Sequence, residues 1–595
     1  MQQDEVNMEI LKLEFADFDR ELGAFLLRFA AFDIPEISLA GMLTAYELRS
    51  GNPQLDLAAY AGKTIEMSPG EYVILPSVEA WKEILLQSKT ASLPESNLRT
   101  PLIFTGETVV MFHRYAEHAG NIRKLLQSFR MFSRKLQMPE SISADLDQVQ
   151  QLAVFVGTNS RLLILSGGPG TGKTTVCGHI IRALLEKNDQ RRILFAAPTG
   201  KAQQRLAAQI RAAGDDLPES SPVRRAIREV KGATLHSFVL NPEWYAELES
   251  CDLLIVDECS MISLEMFSRL LSVLPPTASL ILAGDRRQLV SIDSGSVFAD
   301  LCNYGKVNQL PETAADYFRS ETGIAVEYCE KNDDFSGSIV ELQRNFRSSE
   351  APAICRIAAM LRENMLPDET AADFICAADK DDFRFRNVAE KDLASEIGRR
   401  CAELKELPQL CRSGDPGQIR RALEIADRSK FICAVNRGRY GTIEVNNCLL
   451  NELGITPVNN GEWLPGTALL ITANDRHTGL RNGDIGIVTL EKIGTENLPQ
   501  RCVRFSSCPE KCFPLSGLPA HECGFAISVH RSQGSGYNKV TFLLPGYDSA
   551  VLCRELLYTG ITRAAKEIEL WGSRDELLFA LKNSRERSSN LFKNA

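Results

Sequence analysis

One glycine-rich octapeptide, Gly167-Gly168-Pro169-Gly170-Thr171-Gly172-Lys173-Thr174, constrains this chain more than any other feature. It directly follows the apolar run Leu162-Leu165, so the order is strand, loop and helix. Glycines allow backbone N–H groups to approach phosphates closely, because no side chain stands in the way. Lys173 then supplies a charge between the β- and γ-phosphates, and the Thr174 hydroxyl is placed to bind Mg²⁺. The loop therefore predicts nucleoside triphosphate binding.

The composition limits the chain to a few classes of protein. Its 595 residues correspond to roughly four domains, and its net charge of −10 gives no global basic field. Any contact with nucleic acid must therefore be local. The 16 cysteines form no compact framework, no targeting segment precedes them and no apolar run approaches a membrane span. We therefore expect a cytoplasmic protein with no membrane partner.

A group of cysteines and one histidine near residue 510 raises the question of zinc. The group consists of Cys502, Cys508, Cys512, His521 and Cys523. Its spacing contains no C-x-x-C pair, which zinc sites commonly use. The sequence therefore favours no metal at this place.

The chain divides into three regions by the periodicity of its apolar residues. Residues 1–135 show helical periodicity without a nucleotide motif, so we interpret them as a helical interaction module. Residues 136–350 and 351–595 alternate short apolar strands with amphipathic helices, which predicts parallel sheets covered on both faces. Within the last region, residues 455–520 contain Pro, Gly and Asn clusters around short β-like runs and indicate a small β-rich insertion.

Two further strands end in polar residues that suit phosphate chemistry. The run Leu253-Val256 leads into Asp257, which can hold Mg²⁺, and Glu258, which can orient and deprotonate the attacking water. A third strand runs into a loop that contains Gln288, which could sense the γ-phosphate. An acidic pair at a strand end is a weak signal alone, but it becomes a strong one after a phosphate loop.

The ordered motifs resemble those of superfamily 1 helicases. In the first half the matching segments are the phosphate loop, Ala197-Ala202, Thr234-His236, Asp257-Met261 and Gly284-Leu289; in the second half they are Leu342-Arg347, Val529-Ser535 and Tyr558-Ala564. Within that superfamily the chain is most similar to the RecD family, the alpha subunits of exodeoxyribonuclease V. Segments Gly51-Leu57 and Asn482-Gly486 lie outside the shared motifs and support this similarity.

The resemblance carries expectations for fold, activity and partners. It implies an α/β protein with two RecA-like motor domains, a helical N-terminal domain that docks on a partner, and the β-rich insertion. It also implies ATP-dependent 5′-to-3′ translocation on single-stranded DNA and action at duplex ends. The expected partners are RecB-like and RecC-like subunits, with nuclease activity in another subunit. A role in double-strand break repair and recombination would follow.

The resemblance also assigns roles to single residues. Lys173, Asp257, Glu258 and Gln288 would act on the triphosphate from the first motor domain, with Arg347 and Arg563 reaching it from the second. Mg²⁺ would be held by Thr174 and Asp257. Of Gln148, Gln150 and Gln151, the length of the connection to the first strand favours Gln150 as the adenine contact. The remaining nucleotide contacts are expected from Gly167, Gly168, Pro169, Gly170, Thr171, Gly172 and Thr175, and the DNA contacts from Thr199, Lys201, His236, His530 and Ser532.

Two departures from the family pattern leave alternatives open. Gly536 stands where the family has a glutamate that holds the ribose, and Ala565 stands where a second basic residue is common. These changes allow a weakly active structural subunit that binds ATP and DNA. A free-standing 5′-to-3′ helicase without partners is the other alternative.

Overall fold

The computed structural model describes residues 10–583 and Leu591, except positions 97, 130–131, 134, 141, 143–144, 291–294, 330–334, 347–349, 458–461, 476, 494–497, 547–548 and 550. The first region has the elements β1 (Ile10–Leu11), α1 (Asp17–Phe29), α2 (Pro35–Arg49), β2 (Gln54–Asp56), β3 (Thr64–Ser68), β4 (Glu71–Ile74), α3 (Val78–Gln87), β5 (Ala91–Ser92), β6 (Leu102–Phe104), β7 (Val109–Phe112) and α4 (His113–Ser128).

The N-terminal region is mixed α/β rather than all helical. Helices α1 and α2 are present where the periodicity predicts them, and they pack against each other. Two small sheets, with strand orders β1-β3-β4 and β2-β7-β6-β5, lie beside them. Their strands are two to five residues long, which is too short for alternation to be recognised in the sequence.

The first motor domain contains a parallel sheet in the order β10-β9-β11-β12-β8-β15. Its elements are α5 (Gln148–Asn159), β8 (Leu162–Gly167), α6 (Lys173–Lys187), β9 (Ile193–Ala197), α7 (Gly200–Ala212), α8 (Pro222–Glu229), β10 (Lys231–Thr234), α9 (Leu235–Leu240), α10 (Pro242–Glu249), β11 (Leu253–Val256), α11 (Leu264–Val273), β12 (Ser279–Gly284), α12 (Val297–Tyr304), β13 (Gln309–Leu310), α13 (Glu312–Thr322), β14 (Glu327–Tyr328) and β15 (Ile339–Leu342).

Strand β8, the fifth of the six strands, is buried on both faces of this sheet. Leu162 and Ile164 enter one apolar core, and Leu163 and Leu165 enter the other. This alternation is the reason that the strand reads as a continuous apolar run. The end of β8, where the phosphate loop begins, lies between the neighbouring strands β12 and β15.

Helix α4 belongs structurally to the first motor domain. It packs against α11, and Ile122 and Leu126 share a buried core with Phe267 and Leu270. The boundary that we expected at residue 135 therefore falls after a helix of the motor core. The helical periodicity of α4 continues that of the preceding region, so no pattern in the sequence marks the change of packing partner.

The second motor domain contains a parallel sheet in the order β16-β25-β24-β17-β23. Its elements are α14 (Pro352–Glu363), α15 (Asp368–Cys376), β16 (Phe383–Arg386), α16 (Leu393–Arg400), α17 (Leu407–Arg412), α18 (Pro416–Arg428), β17 (Ser429–Cys433), α19 (Thr442–Glu452), β18 (Ala468–Ile471), β19 (Ile485–Ile493), β20 (Leu498–Phe505), β21 (Cys508–Pro514), β22 (His521–Cys523), β23 (Ala526–Ser528), α20 (Val529–Ser532), β24 (Tyr537–Leu543), α21 (Arg554–Ile561), β25 (Ala564–Trp571) and α22 (Arg574–Lys582).

Strands β18 to β22 form the β-rich insertion as an antiparallel sheet in the order β21-β20-β19-β18-β22. Its own apolar core contains Leu469, Val488, Val503 and Phe505. Strand β19 also packs against α17 and α18 of the second motor domain. Among the helices that the structure describes, none has both the length and the apolar character needed to cross a bilayer.

Candidate nucleotide site and DNA interface

The phosphate loop has the backbone shape that its glycines permit. Gly170 and Gly172 have φ angles of 82° and 87°, in the left-handed region that side chains disfavour. A Cβ atom on Gly172 would lie 2.5 Å from the Gln150 Nε2 atom, so the position is also sterically closed. Helix α6 begins at Lys173, and its N-terminal N–H groups face the loop. This arrangement fits a triphosphate.

The Lys173 side chain folds back over the phosphate loop. Its Nζ atom donates to the carbonyl oxygens of Gly167 and Gly168, at 2.5 Å and 3.2 Å. Gly167 and Thr171 are buried under the loop, where the Thr171 hydroxyl donates to the Gly168 carbonyl at 2.8 Å. The rest of the loop lines a cavity of about 1050 Å³ between the motor domains: Gly168, Pro169, Gly170, Gly172, Lys173, Thr174 and Thr175.

Gln150 is the glutamine of the three candidates that lines this cavity. Its backbone N–H donates to Asp147 at the start of α5, and its side-chain oxygen accepts from the Asp147 N–H. Its Nε2 atom donates to the Thr171 carbonyl at 3.1 Å. These bonds fix the amide beside the phosphate loop. Gln148 is exposed and Gln151 bonds to the Leu146 carbonyl.

The acidic pair lies at the end of β11, opposite the loop. Asp257 and Glu258 both line the cavity, and the Asp257 carboxylate accepts from the Glu258 N–H at 2.9 Å. Burial, with the neighbouring Glu258 charge, raises the pKa of Asp257 to about 6. Glu258 has φ 53° and ψ 41°, a strained conformation for a residue with a side chain, of the kind found at functional sites.

The loop after β12 brings a buried amide to the same cavity. Gln288 is 3% exposed, and its Nε2 atom donates to the Asp285 carboxylate at 3.3 Å. Its Oε1 atom is buried without a hydrogen-bond partner in the described structure. A buried orphaned oxygen is costly, so this atom is suited to accept from a water or a ligand in the cavity.

The second motor domain supplies Arg563 to the cavity. Its side chain is 3% exposed and donates to the carbonyl oxygens of Thr559 and Ser535, each at 3.1 Å. Burial lowers the pKa of Arg563. Gly536 also lines the cavity, and a Cβ atom placed there would meet only the Arg563 carbonyl, at 3.9 Å. The position is therefore open to a side chain.

The segment after β15 clamps the phosphate loop. The Phe346 N–H donates to the Gly170 carbonyl at 3.0 Å, and the Asn345 amide donates to the Pro169 carbonyl at 3.2 Å. Phe346 also lines the cavity. Arg347, which we expected to reach the γ-phosphate, lies outside the described residues. Strand β15, which precedes it, belongs to the first motor sheet.

A buried polar network that sequence motifs do not indicate joins the two motor domains beside the phosphate loop. The Tyr558 hydroxyl donates to Asp285 at 2.8 Å. Glu341 on β15 bonds both Arg286 and Arg362, each at 2.9 Å. Asp285, Glu341 and Tyr558 are each at most 5% exposed. The network forms because β15, α14 and α21, which are distant in sequence, pack beside one another.

Arg205 is a further cavity residue that sequence reasoning missed. It lies on α7 and lines the nucleotide cavity, where its charge acts on Asp257 and on Arg563. No local pattern indicated its position, because the approach of α7 to the phosphate loop depends on tertiary packing.

Two of the predicted DNA contacts of the first motor domain, Thr199 and Lys201, lie against residues 534–537 of the second motor domain. Thr199 caps α7, where its hydroxyl accepts from the Ala202 N–H at 3.2 Å. A Cβ atom on Gly534 would lie 3.6 Å from the Thr199 Oγ1 atom. The Lys201 Nζ atom lies 5.0 Å from the centre of the Tyr537 ring. The two motor domains are therefore in contact along this edge.

Of the three other predicted DNA contacts, two have accessible side chains. His236 is exposed at the start of α9, and His530 is half-buried on α20. Ser532 is a correction, because it is fully buried and its hydroxyl donates to the Val529 carbonyl at 2.6 Å. In this conformation the Ser532 hydroxyl is not accessible to DNA. Its backbone carbonyl instead lies 3.5 Å from an Arg563 guanidinium nitrogen.

Two family models match segments of the chain that carry these motifs. A family model described as "AAA domain" matches residues 150–294, and one described as "UvrD-like helicase C-terminal domain" matches residues 524–570. Among solved structures, Pif1 helicase from Bacteroides in complex with ADP-AlF3 and ssDNA is 17% identical, with a TM-score of 0.38, and covers 71% of this chain and 92% of its own.

Curated relatives cover most of the chain. The RecBCD enzyme subunit RecD of Mycolicibacterium smegmatis is 28% identical over 576 residues, 94% of this chain and 93% of that protein. The RecBCD enzyme subunit RecD of Mycobacterium tuberculosis is 30% identical over 458 residues, 74% of this chain and 72% of that protein. With this similarity, the chain belongs to the RecD family of RecBCD enzyme subunits.

Proposed function

We propose that this RecD-family chain is an ATP-dependent DNA helicase that moves 5′ to 3′ as a subunit of a RecBCD-like helicase-nuclease. One observation carries the proposal: the nucleotide cavity lies between two parallel-sheet domains and receives side chains from both. Lys173 and Asp257 come from the first domain, and Arg563 comes from the second. A nucleotide bound there would draw both domains onto the same phosphates.

Each residue of the cavity would have a separate role in ATP hydrolysis. Lys173 would place its charge on the β- and γ-phosphates, and Glu258 would orient the attacking water and accept its proton. Arg563 would stabilise the charge that develops on the transferred phosphoryl group. The Thr174 hydroxyl and the Asp257 carboxylate are oxygen donors that would hold Mg²⁺, which neutralises phosphate charge when bound.

The contacts between the two motor domains would couple the presence or absence of the γ-phosphate to movement of one domain relative to the other. Gln288 lines the nucleotide cavity and also a small cavity of about 120 Å³ that contains His530 of the second domain. The loop that carries Gln288 is bonded to α21, because the Leu289 N–H donates to the Thr559 hydroxyl at 2.8 Å. The interface between the two motor domains would close when ATP is bound and open when the γ-phosphate is lost. This change would reach His530, a predicted DNA contact, through the loop that carries Gln288.

Single-stranded DNA would lie across both domains. Thr199, Lys201 and His236 would contact it from the first domain, and His530 from the second. Contacts of this kind go mainly to phosphates and to base faces, so sequence preference should be weak. Because the chain has a net charge of −10, this grip must come from local groups rather than from the overall field.

An exposed aromatic stripe supports docking on a RecC-like partner through the N-terminal region. Phe18, Phe25 and Phe29 of α1 are 56%, 45% and 47% exposed, and their spacing places them on one side of the helix. The rings of Phe25 and Phe29 lie 6.5 Å apart. A stripe of exposed phenylalanines is characteristic of a protein-binding surface.

The helicase proposal is tested by ATP hydrolysis with and without single-stranded DNA. We expect the wild-type chain to be stimulated by DNA and Lys173→Gln to lose about 10²-fold or more of the stimulated rate. Arg211→Ala is the control, since Arg211 is an exposed arginine at the last turn of α7. A wild-type rate that DNA leaves unchanged would overturn the motor assignment.

The partner proposal has a separate test. Phe18→Ser together with Phe25→Ser should weaken co-purification with RecB-like and RecC-like subunits, while DNA-stimulated ATPase activity of the isolated chain stays unchanged. Ile443→Ser is the control, because Ile443 is 56% exposed on α19 of the second motor domain. Assembly that tolerates the phenylalanine changes, or that fails equally with Ile443→Ser, would place docking elsewhere.

A further inference from the structure

The β-rich insertion gathers a set of metal-ligating side chains that differs from the group considered in the sequence. Glu491, Cys502 and Cys512 offer one ligand atom each, and these atoms all lie within 4.8 Å of one another. Cys508, His521 and Cys523 do not belong to this set. The spacing rule missed it because the three ligands come from three neighbouring strands, where none of them is directly paired with another.

The three ligands come from three adjacent antiparallel strands. Glu491 lies on β19, Cys502 on β20 and Cys512 on β21. Cys502 pairs with Thr489 on β19, and Cys512 pairs with Arg504 on β20. Tetrahedral ligands bonded at about 2.0–2.3 Å lie roughly 3.3–3.8 Å apart. Small side-chain rotations within this sheet would therefore close the set around one ion.

The carboxylate is already oriented for such a role. The Arg504 Nε atom lies 2.9 Å from Glu491 Oε1 and 3.1 Å from Oε2, and a second Arg504 nitrogen also bonds Oε2. The Thr489 hydroxyl donates to Oε1 at 2.6 Å, and the Cys502 thiol donates to the same oxygen at 3.4 Å. Arg504 therefore holds both carboxylate oxygens, and Oε1 also faces the Cys502 sulfur. A carboxylate oriented by hydrogen bonds in this way is typical of a supported metal ligand.

The chemistry of this set selects the ion. We propose that Glu491, Cys502 and Cys512 form a Zn²⁺ site in the β-rich insertion. Two thiolates and one carboxylate carry a charge of −3, which one Zn²⁺ and the Arg504 guanidinium balance. Two sulfur ligands favour a soft or borderline ion over Mg²⁺ or Ca²⁺. Binding releases both thiol protons to solvent, without oxidation or reduction.

The site would act on structure rather than on ATP hydrolysis. None of its three ligands lines the nucleotide cavity. Cys502 is fully buried, Glu491 is 9% exposed and Cys512 is half-buried. The ion would join β19, β20 and β21 where β19 packs against α17 and α18. The ion would therefore hold these three strands of the insertion together at the place where the insertion contacts the second motor domain.

The test uses the full chain, Zn²⁺ and one matched control cysteine. After reconstitution with Zn²⁺ under reducing conditions and gel filtration, elemental analysis should find one zinc per wild-type chain. Cys502→Ser and Cys512→Ser should lose it, and Glu491→Gln should bind it at least tenfold more weakly. Cys508→Ser should retain it, since Cys508 is half-buried on β21 outside the set. Far-ultraviolet circular dichroism checks that each variant is folded.

Cobalt(II) absorption of the wild-type chain tests the site without relying on the folding of a variant. Cobalt(II) bound to the wild-type chain should show thiolate-to-metal charge transfer, and Cys508→Ser should leave the band unchanged. A wild-type chain without bound zinc, or a cobalt spectrum without thiolate bands, would overturn the site. Thiol titration of the zinc-free chain that finds two thiols missing would overturn it in favour of a Cys502–Cys512 disulfide.

Discussion

The Tyr558 hydroxyl of the second motor domain donates a 2.8 Å hydrogen bond to the Asp285 carboxylate of the first. A Cβ atom on Gly168 of the phosphate loop would lie 2.9 Å from the same hydroxyl. Asp285 also accepts from Gln288, whose free amide oxygen is buried at the nucleotide cavity. The Asp285 carboxylate therefore bonds both a residue at the nucleotide cavity and a residue of the other motor domain.

Removal of this hydroxyl should weaken the coupling between DNA and ATP hydrolysis. Hydrogen bonds to charged groups contribute about 1.5–3 kcal/mol, so we expect Tyr558→Phe to lower DNA-stimulated kcat/KM by about tenfold or more. Tyr440→Phe is the control, because the Tyr440 hydroxyl bonds the Val388 carbonyl within the second motor domain. Equal effects of the two changes would show that Tyr558 has no special role at the interface between the two motor domains.

Substitution of Arg563 should slow ATP hydrolysis while leaving ATP binding nearly unchanged. The hydrogen bonds of Arg563 decide which substitution is suitable for this test. Alanine would leave the carbonyls of Thr559 and Ser535 without their donor, so a loss of folding could obscure the result. Lysine keeps the charge but not the planar fork. We expect Arg563→Lys to bind a fluorescent ATP analogue within a few-fold of wild type and to hydrolyse ATP about 10³-fold more slowly. A parallel collapse of affinity would contradict a role in the transition state.

Gly536 should make the enzyme tolerant of changes to the ribose. The family glutamate is absent, so wild type should hydrolyse ATP and its 2′- or 3′-deoxy analogues at similar kcat/KM. Because the position is open, Gly536→Glu should fold and should gain a preference for ATP of about tenfold, the value of one hydrogen bond. A wild-type preference on the order of 10²-fold would show that another residue holds the ribose.

Lys430 should make folding stability depend on pH. It is 1% exposed on β17, and burial lowers its pKa to about 8, although its Nζ atom donates to the Gly524 carbonyl at 2.9 Å. Below pH 8 both folded and unfolded states carry the proton, so the full burial penalty applies. Between pH 8 and about 10.4 only the unfolded state keeps it, so this residue's contribution to stability rises with pH.

Comparison with Lys430→Met isolates this contribution. The free energy of unfolding of wild type relative to the variant should rise by on the order of 3 kcal/mol between pH 8 and 10.4. Denaturant unfolding at several pH values measures the difference. A difference that does not change with pH would mean that the lysine is buried as the neutral amine throughout, or that its pKa is ordinary.

The parts of the site that follow from local rules could be predicted from the sequence. The phosphate loop is contiguous, and its glycines, Lys173 and strand β8 together specify the backbone shape. Asp257 and Glu258 could be placed because β11 reads as a buried strand that ends in the carboxylates. The insertion was recognisable from its turn residues.

The parts that depend on tertiary contact could not be predicted. Ser532 has the residue type of a DNA contact, but its environment buries it. Helix α4 has an amphipathic pattern that does not reveal which core it joins. The hydrogen bond between Tyr558 and Asp285 links residues that are 273 positions apart. Periodicity and spacing report which side of an element is apolar, whereas pairing across domains depends on how the elements pack.

Strand displacement on tailed duplexes tests the central claim most directly. Wild type with ATP should unwind a duplex that carries a 5′ single-stranded tail and should leave one with a 3′ tail intact. Lys173→Gln should unwind neither, which excludes a contaminating helicase. Unwinding of only the 3′-tailed duplex would contradict the proposed direction, and ATP hydrolysis without displacement of either strand would contradict the assignment as a helicase.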